Sequence, residues 1–167
     1  MFQLKPISRE GIPAALQKAE RYRLLNEPSA AESICLDVLQ VEPDNQQAIV
    51  MLLLAITDQF PSAPAEGEQR AREVLPLLRD AYERAYYEGI ICERRATAQL
   101  RLGSPGSGEI AYEWFRRAME HYERAEQMRP AGNDEAILRW NTCARILMRR
   151  EEDVHPHMRE EYEPSLE

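Results

Sequence analysis

Residues 118–130 read Ala-Met-Glu-His-Tyr-Glu-Arg-Ala-Glu-Gln-Met-Arg-Pro. A small residue at Ala118, an aromatic four on at Tyr122 and a small one three further at Ala125 share one face of a helix, and Pro130 ends it. The tetrapeptide Tyr-Glu-Arg-Ala of residues 122–125 recurs at Tyr82–Ala85, where Leu78, Tyr82 and Ala85 repeat the spacing. A more diverged copy reads Ala31, Cys35 and Val38, with Pro43 as far beyond Ala31 as Pro130 is beyond Ala118. This pattern is the signature of a helix-pair repeat. A short pair cannot bury its own apolar face, so successive pairs must stack.

Working outward, the apolar periodicity predicts seven helices. The first spans about Ile12 to Asn26, with Pro13 in its opening turn, where no N–H is needed. The second runs from a Ser29 cap, with Glu32 completing a capping box, to Val41, before Pro43. The third, about Gln46 to Gln59, contains Ala48–Ile56, apolar on every face. It must be enclosed by neighbours or covered by a partner. The Pro- and Gly-containing stretch 60–67 reads as a loop. A fourth helix is expected from Glu68 to Glu88, kinked or effectively started by Pro76, with Gly89 as its stop. The fifth covers Ile90 to Leu102. After the Gly/Ser loop 103–108 come the sixth, Glu109 to Met128, with Glu113/Arg117 and Glu120/Arg124 at i, i+4 spacing, and the seventh, Asp134 to Arg150. Residues 1–11 form an N-terminal segment, 12–151 one domain and 152–167 an acidic tail.

The composition suits a globular chain: 44% hydrophobic and 30% charged among 167 residues. A formal charge of −8 disfavours binding to phosphate backbones. No apolar run is long enough to cross a bilayer, and the start does not read as a secretory signal; a cytoplasmic location is expected. Cys35, Cys92 and Cys143 fit neither a disulfide framework nor zinc-ligand spacing and read as buried, reduced thiols. No Gly-rich phosphate loop, nucleophile elbow or His-Glu-x-x-His is present, so neither an enzyme nor a cofactor or metal site is expected. His121 reads as a surface residue, His155-Pro-His157 as part of the tail, and Glu93-Arg-Arg95 as a solvated face. Tyr82, Tyr86 and Tyr87 read as packing residues.

Val38-Leu-Gln-Val-Glu-Pro-Asp-Asn45 and Ala118–Pro130 resemble the tetratricopeptide repeat family over about Ile12 to Arg150. Ala19 and Tyr22 fit its first-helix slots, and Ile137 and Trp140 its large ones. Asn141 stands where a small residue is usual, and Ile90, just after Gly89, replaces the middle proline. The intervals from Pro43 to Ile90 and from Ile90 to Pro130 both exceed the period of about 34 residues, and the surplus coincides with the loops at 60–67 and 103–108. The resemblance implies an all-α fold, an α–α superhelix of three helix pairs plus a C-terminal capping helix, with an irregular helical bundle as the alternative.

The family's concave-groove slots, carried over residue by residue, fall on Glu20 and Arg23 of the first helix and on Gln47, Val50, Met51 and Leu54 of the third. The fifth helix supplies Arg95 and Gln99, and the seventh Arg139, Thr142 and Arg145. An apolar centre flanked by arginines suits a peptide with apolar anchors and an acidic group. The expected function is a non-catalytic scaffold or adaptor binding a protein or peptide. Two alternatives are a small acidic holding chaperone for a secreted client, and a structural module whose third helix is covered by a second copy of the chain, a homodimer.

Overall fold

The computed structural model describes residues 1–154, with side chains as far as Glu151. The expected tail, with His155 and His157, lies outside the described residues, except that residues 152–154 extend the last helix. Among the described residues the chain is all-helical: α1 Ile12–Leu24, α2 Pro28–Val41, α3 Gln46–Asp58, α4 Pro64–Val74, α5 Ala81–Leu102, α6 Ser107–Met128 and α7 Glu135–Val154, with 3-10 turns at Arg9–Gly11 and Leu75–Leu77.

Each helix packs on its neighbours in sequence, and α3 also touches α1 and α5. Three apolar clusters run along the chain. Ile12, Leu16, Val38 and Ala48 join α1, α2 and α3. A larger cluster around Ile49, Leu53, Ile56 and Phe60 reaches Leu78 and Ile91. The third, around Phe115, Tyr122 and Cys143, joins α5, α6 and α7. Helix α3 is enclosed by its own chain, with Ile49, Leu53 and Ala55 at 0% exposure. It therefore needs no partner to cover it.

The middle of the chain differs from the sequence expectation. Pro64 opens α4 at a position where its missing N–H costs nothing, so most of the expected loop 60–67 is accounted for by a turn and the start of a helix. Gly67 is buried in α4, where a Cβ would sit 2.7 Å from Phe60 Cδ1. The helix breaks not at Gly89 but after Pro76, at Leu78–Asp80. Gln46 holds this break against α3: its Oε1 accepts from Arg79 N at 2.8 Å and its Nε2 donates to Leu77 O at 3.2 Å. Arg84 donates to the carbonyls of Leu78 and Arg79 at 2.8 and 2.7 Å. Asp80 then caps α5 by accepting from Glu83 N at 2.9 Å.

Helix α5 runs unbroken through Gly89 to Gly103, whose φ of 60° forms its C-terminal cap. Gly89 is buried because Tyr122 of α6 lies on it, with Cδ1 2.7 Å from where a Cβ would stand. A glycine inside a helix costs about 1 kcal/mol relative to alanine, and here it permits close approach of two long helices. Gly89-Ile90 is thus not a degenerate proline stop.

The two Tyr-Glu-Arg-Ala copies consequently do not occupy equivalent helices. The first lies in the opening turns of α5 and the second near the end of α6, and the four-residue connection folds them together, with Tyr86 and Tyr122 centroids 5.8 Å apart. Their side chains do different work. Tyr82 donates to Asn133 Oδ1 at 3.3 Å, whereas Tyr122 donates to Glu93 Oε2 at 2.5 Å. Arg84 satisfies loop carbonyls, whereas Arg124 pairs with His121.

Smaller differences are local. Glu27, with no side-chain capping bond, precedes α2 in place of the Ser29 cap. Arg117 lies over the Trp114 ring at 5.0 Å rather than pairing with Glu113.

Candidate functional site

A polar cavity of about 240 Å³ is shared by the C-terminal ends of α1, α3 and α5. Arg23 and Asn26 come from the end of α1, Asp58 from the end of α3, and Arg94, Thr97 and Arg101 from α5. On α5 the spacing 94, 97, 101 keeps three polar residues on one face. Asn26 adopts the left-handed conformation, φ 59°, which turns the chain sharply into α2.

Asp58 organises the arginines. Arg23 Nε donates to its Oδ2 at 2.8 Å, and Arg94 lies 3.4 Å from its Oδ1. Asp58 is 17% exposed and Arg23 20%, so both are held where water screens them weakly. Arg94 Nε is buried and has no hydrogen-bond partner among the described residues. Three guanidiniums against one carboxylate give a locally cationic cavity in a chain of formal charge −8. Planar guanidinium forks suit a carboxylate or phosphate through paired hydrogen bonds.

Of the residues expected to line a groove, the structure brings Arg23 to this cavity. Glu20 and Gln47 are exposed on α1 and α3, and Val50 is half-buried against the core. Met51 is 9% exposed and belongs to the core, so it is not available to a ligand. Leu54 is half-buried against the α5–α7 cluster. Arg95 points elsewhere: its Nε is 2.9 Å from Glu68 of α4, and its guanidinium stacks on Trp114 of α6 at 5.3 Å. Gln99 is half-buried. One residue apart on α5, the two arginines lie on different faces. Arg94, not Arg95, faces Arg23.

On α7, Thr142 is exposed and its hydroxyl donates to Leu138 O at 2.9 Å, and Arg145 is exposed. Arg139 is committed to the protein itself. It donates to Glu93 at 3.1 Å, and the Tyr122 hydroxyl donates to the same carboxylate. Glu93 is 7% exposed, so the expectation of a solvated Glu93-Arg-Arg95 face is overturned. A buried carboxylate needs such partners. Burial and the nearby Glu93 push the Tyr122 hydroxyl well above its ordinary value. His121 is half-buried rather than on the surface, and burial lowers its pKa.

The three cysteines are free and buried, as expected. Tyr82, Tyr86 and Tyr87 pack into the core, also as expected. No helix among the described residues is long and apolar enough to cross a membrane. No protein-family model, curated protein or solved structure matches the chain.

Proposed function

We propose that this chain is a tetratricopeptide-like adaptor that binds a segment of another protein without catalysis, using the cavity at α1, α3 and α5 to receive an acidic group. The observation that carries this reading is the convergence of Arg23, Arg94 and Arg101 around Asp58. The packing of each helix on its sequence neighbours, with α3 touching both α1 and α5, supports an array of helix pairs whose first helices share one surface. Asp58 holds two guanidiniums in place while leaving donors to spare, and preorganisation of this kind reduces the entropy lost on binding.

The test uses two matched arrays of fluorescent peptides, one with Asp, Glu and free C-termini, the other with Asn, Gln and amidated C-termini. The expected result is selective retention of acidic members, and loss of at least about tenfold in their affinity in the Arg94→Glu, Arg101→Glu double variant, equivalent to about 1.4 kcal/mol. Equal binding of the two arrays, or acidic-peptide affinity unchanged by the charge reversal, overturns the proposal.

A further inference from the structure

Helix α5 carries Glu88 and Cys92 at i, i+4, and therefore on one face. His121 of α6 faces them across the hairpin, and one ligand atom from each of the three lies within 4.8 Å of the others. Cys92 is buried, while Glu88 and His121 are half-buried at the edge of a cleft of about 350 Å³ between α5 and α6.

We propose that Glu88, Cys92 and His121 bind a Zn²⁺ ion that ties α5 to α6. The donor set selects the metal. Calcium and magnesium take oxygen ligands, whereas a thiolate with an imidazole and one carboxylate suits a borderline-soft ion. Ligand atoms around tetrahedral zinc stand roughly 3.3–3.8 Å apart, from bond lengths of about 2.0–2.3 Å. The three donor atoms, within 4.8 Å of one another, would draw together on binding by rotation of the half-buried Glu88 and His121 side chains. Glu88 and His121 line the cleft, from which water would supply a fourth ligand.

The charges balance. A thiolate and a carboxylate together neutralise Zn²⁺, and the bond forms as Cys–SH loses its proton to solvent and its sulfur pair is donated to the metal. Burial pushes the Cys92 thiol up to about 11, so this proton is present at neutral pH and is released on binding.

Two arginines compete with the metal. Arg72 of α4 donates to Glu88 and Arg124 approaches His121 Nδ1 at 2.6 Å. Both are exposed. Arg72 retains Glu68 at 3.0 Å as a second partner, so it stays paired when zinc takes Glu88. Removing Arg72 should therefore tighten the site, which a chance contact among three side chains does not require.

The experiment titrates the reduced full-length chain, carrying His155→Ala and His157→Ala, first with Co²⁺ and then with Zn²⁺ in competition. One equivalent of Co²⁺ should give a near-ultraviolet thiolate charge-transfer band with intense visible bands of tetrahedral coordination, and Zn²⁺ should erase them. Cys92→Ser should abolish the thiolate band and Cys143→Ser should leave it. His121→Ala should weaken Zn²⁺ at least about tenfold, and Arg72→Gln should tighten it about threefold. Circular dichroism checks that each variant stays helical, with Cys92→Ala replacing the serine variant if that one unfolds. Absence of the band, its survival without Cys92, or wild-type Zn²⁺ affinity in His121→Ala overturns the assignment.

Discussion

Replacing Gly89 with Ala adds one methyl group at the closest approach of α5 and α6, and two effects of opposite sign compete. In a helix interior, Gly→Ala gains about 0.8–1.0 kcal/mol from backbone propensity. The new Cβ, however, would stand 2.7 Å from Tyr122 Cδ1 and 3.0 Å from its Cζ, where ordinary contacts begin near 3.4 Å. Tyr122 cannot simply withdraw. It is 1% exposed, and its hydroxyl donates to the buried Glu93 at 2.5 Å. A hydrogen bond to a charged group contributes about 1.5–3 kcal/mol, and overpacking a tight core typically costs about 1–3 kcal/mol. The overpacking side should win, leaving Gly89→Ala destabilised by about 1–2 kcal/mol. For a chain of this size that lowers Tm by about 2–8 °C. The assay is thermal and urea unfolding followed by circular dichroism, with Gly108→Ala in parallel. A Cβ at Gly108 meets only the mobile end of Arg150, so that variant should be neutral or slightly stabilised. If Gly89→Ala is as stable as the parent or more so, Gly89 is not under Tyr122 and the continuous α5–α6 packing described above is wrong.

Asp80→Ala removes the cap that accepts from Glu83 N and should cost about 1 kcal/mol in urea unfolding; no change would argue against a helix start at Ala81. Met51→Ala should cost about 2–5 kcal/mol because the side chain is in the core, while Gln47→Ala, exposed on the same helix, should stay within about 0.5 kcal/mol; similar losses at both would contradict the enclosure of α3. Burial pushes the Cys35 and Cys143 thiols up from an ordinary 9.0 to about 12. A folded-state pKa raised in this way contributes stability that is complete below the unfolded value and fades as pH climbs from about 9 through 12. The urea midpoint should therefore fall over that range, and at pH 8 a thiol reagent should label these residues only after unfolding. Rapid labelling of the native chain would refute their burial.

Much of the helical organisation was legible because it depends on short-range spacing. The apolar period set α1, α2, α3, α6 and α7 to within a few residues, except the end of α7. The apolar run Ala48–Ile56 signalled that α3 must be covered, by neighbours or by a partner, and the packed chain supplies the cover itself. The middle of the chain misled for a definable reason. Gly89 carries the local mark of a helix stop, and the surface that makes glycine useful there is the Tyr122 ring, supplied by a residue far along the sequence. Conversely, the true break at Leu78–Asp80 is held by Gln46 of α3, which no local window contains. On the continuous α5, Arg94 reaches the cavity with Arg23 whereas Arg95 turns to Glu68 and Trp114. The Asp80 cap and Pro76 were signals that could have located the true break.

Sequence alone determined that this chain is helical, which residues form its apolar stripes, and that its thiols are buried, because those properties follow from side-chain type and periodicity. The tertiary structure decided which charges meet. Arg23, Asp58 and Arg94 converge only because the ends of α1, α3 and α5 are brought together, and Glu88, Cys92 and His121 only because a four-residue turn folds α6 back along α5. Ion pairs and ligand sets form between residues remote in sequence, so their geometry exists only once the helices have packed. The same packing turned one tetrapeptide, present twice, into two unlike sets of contacts.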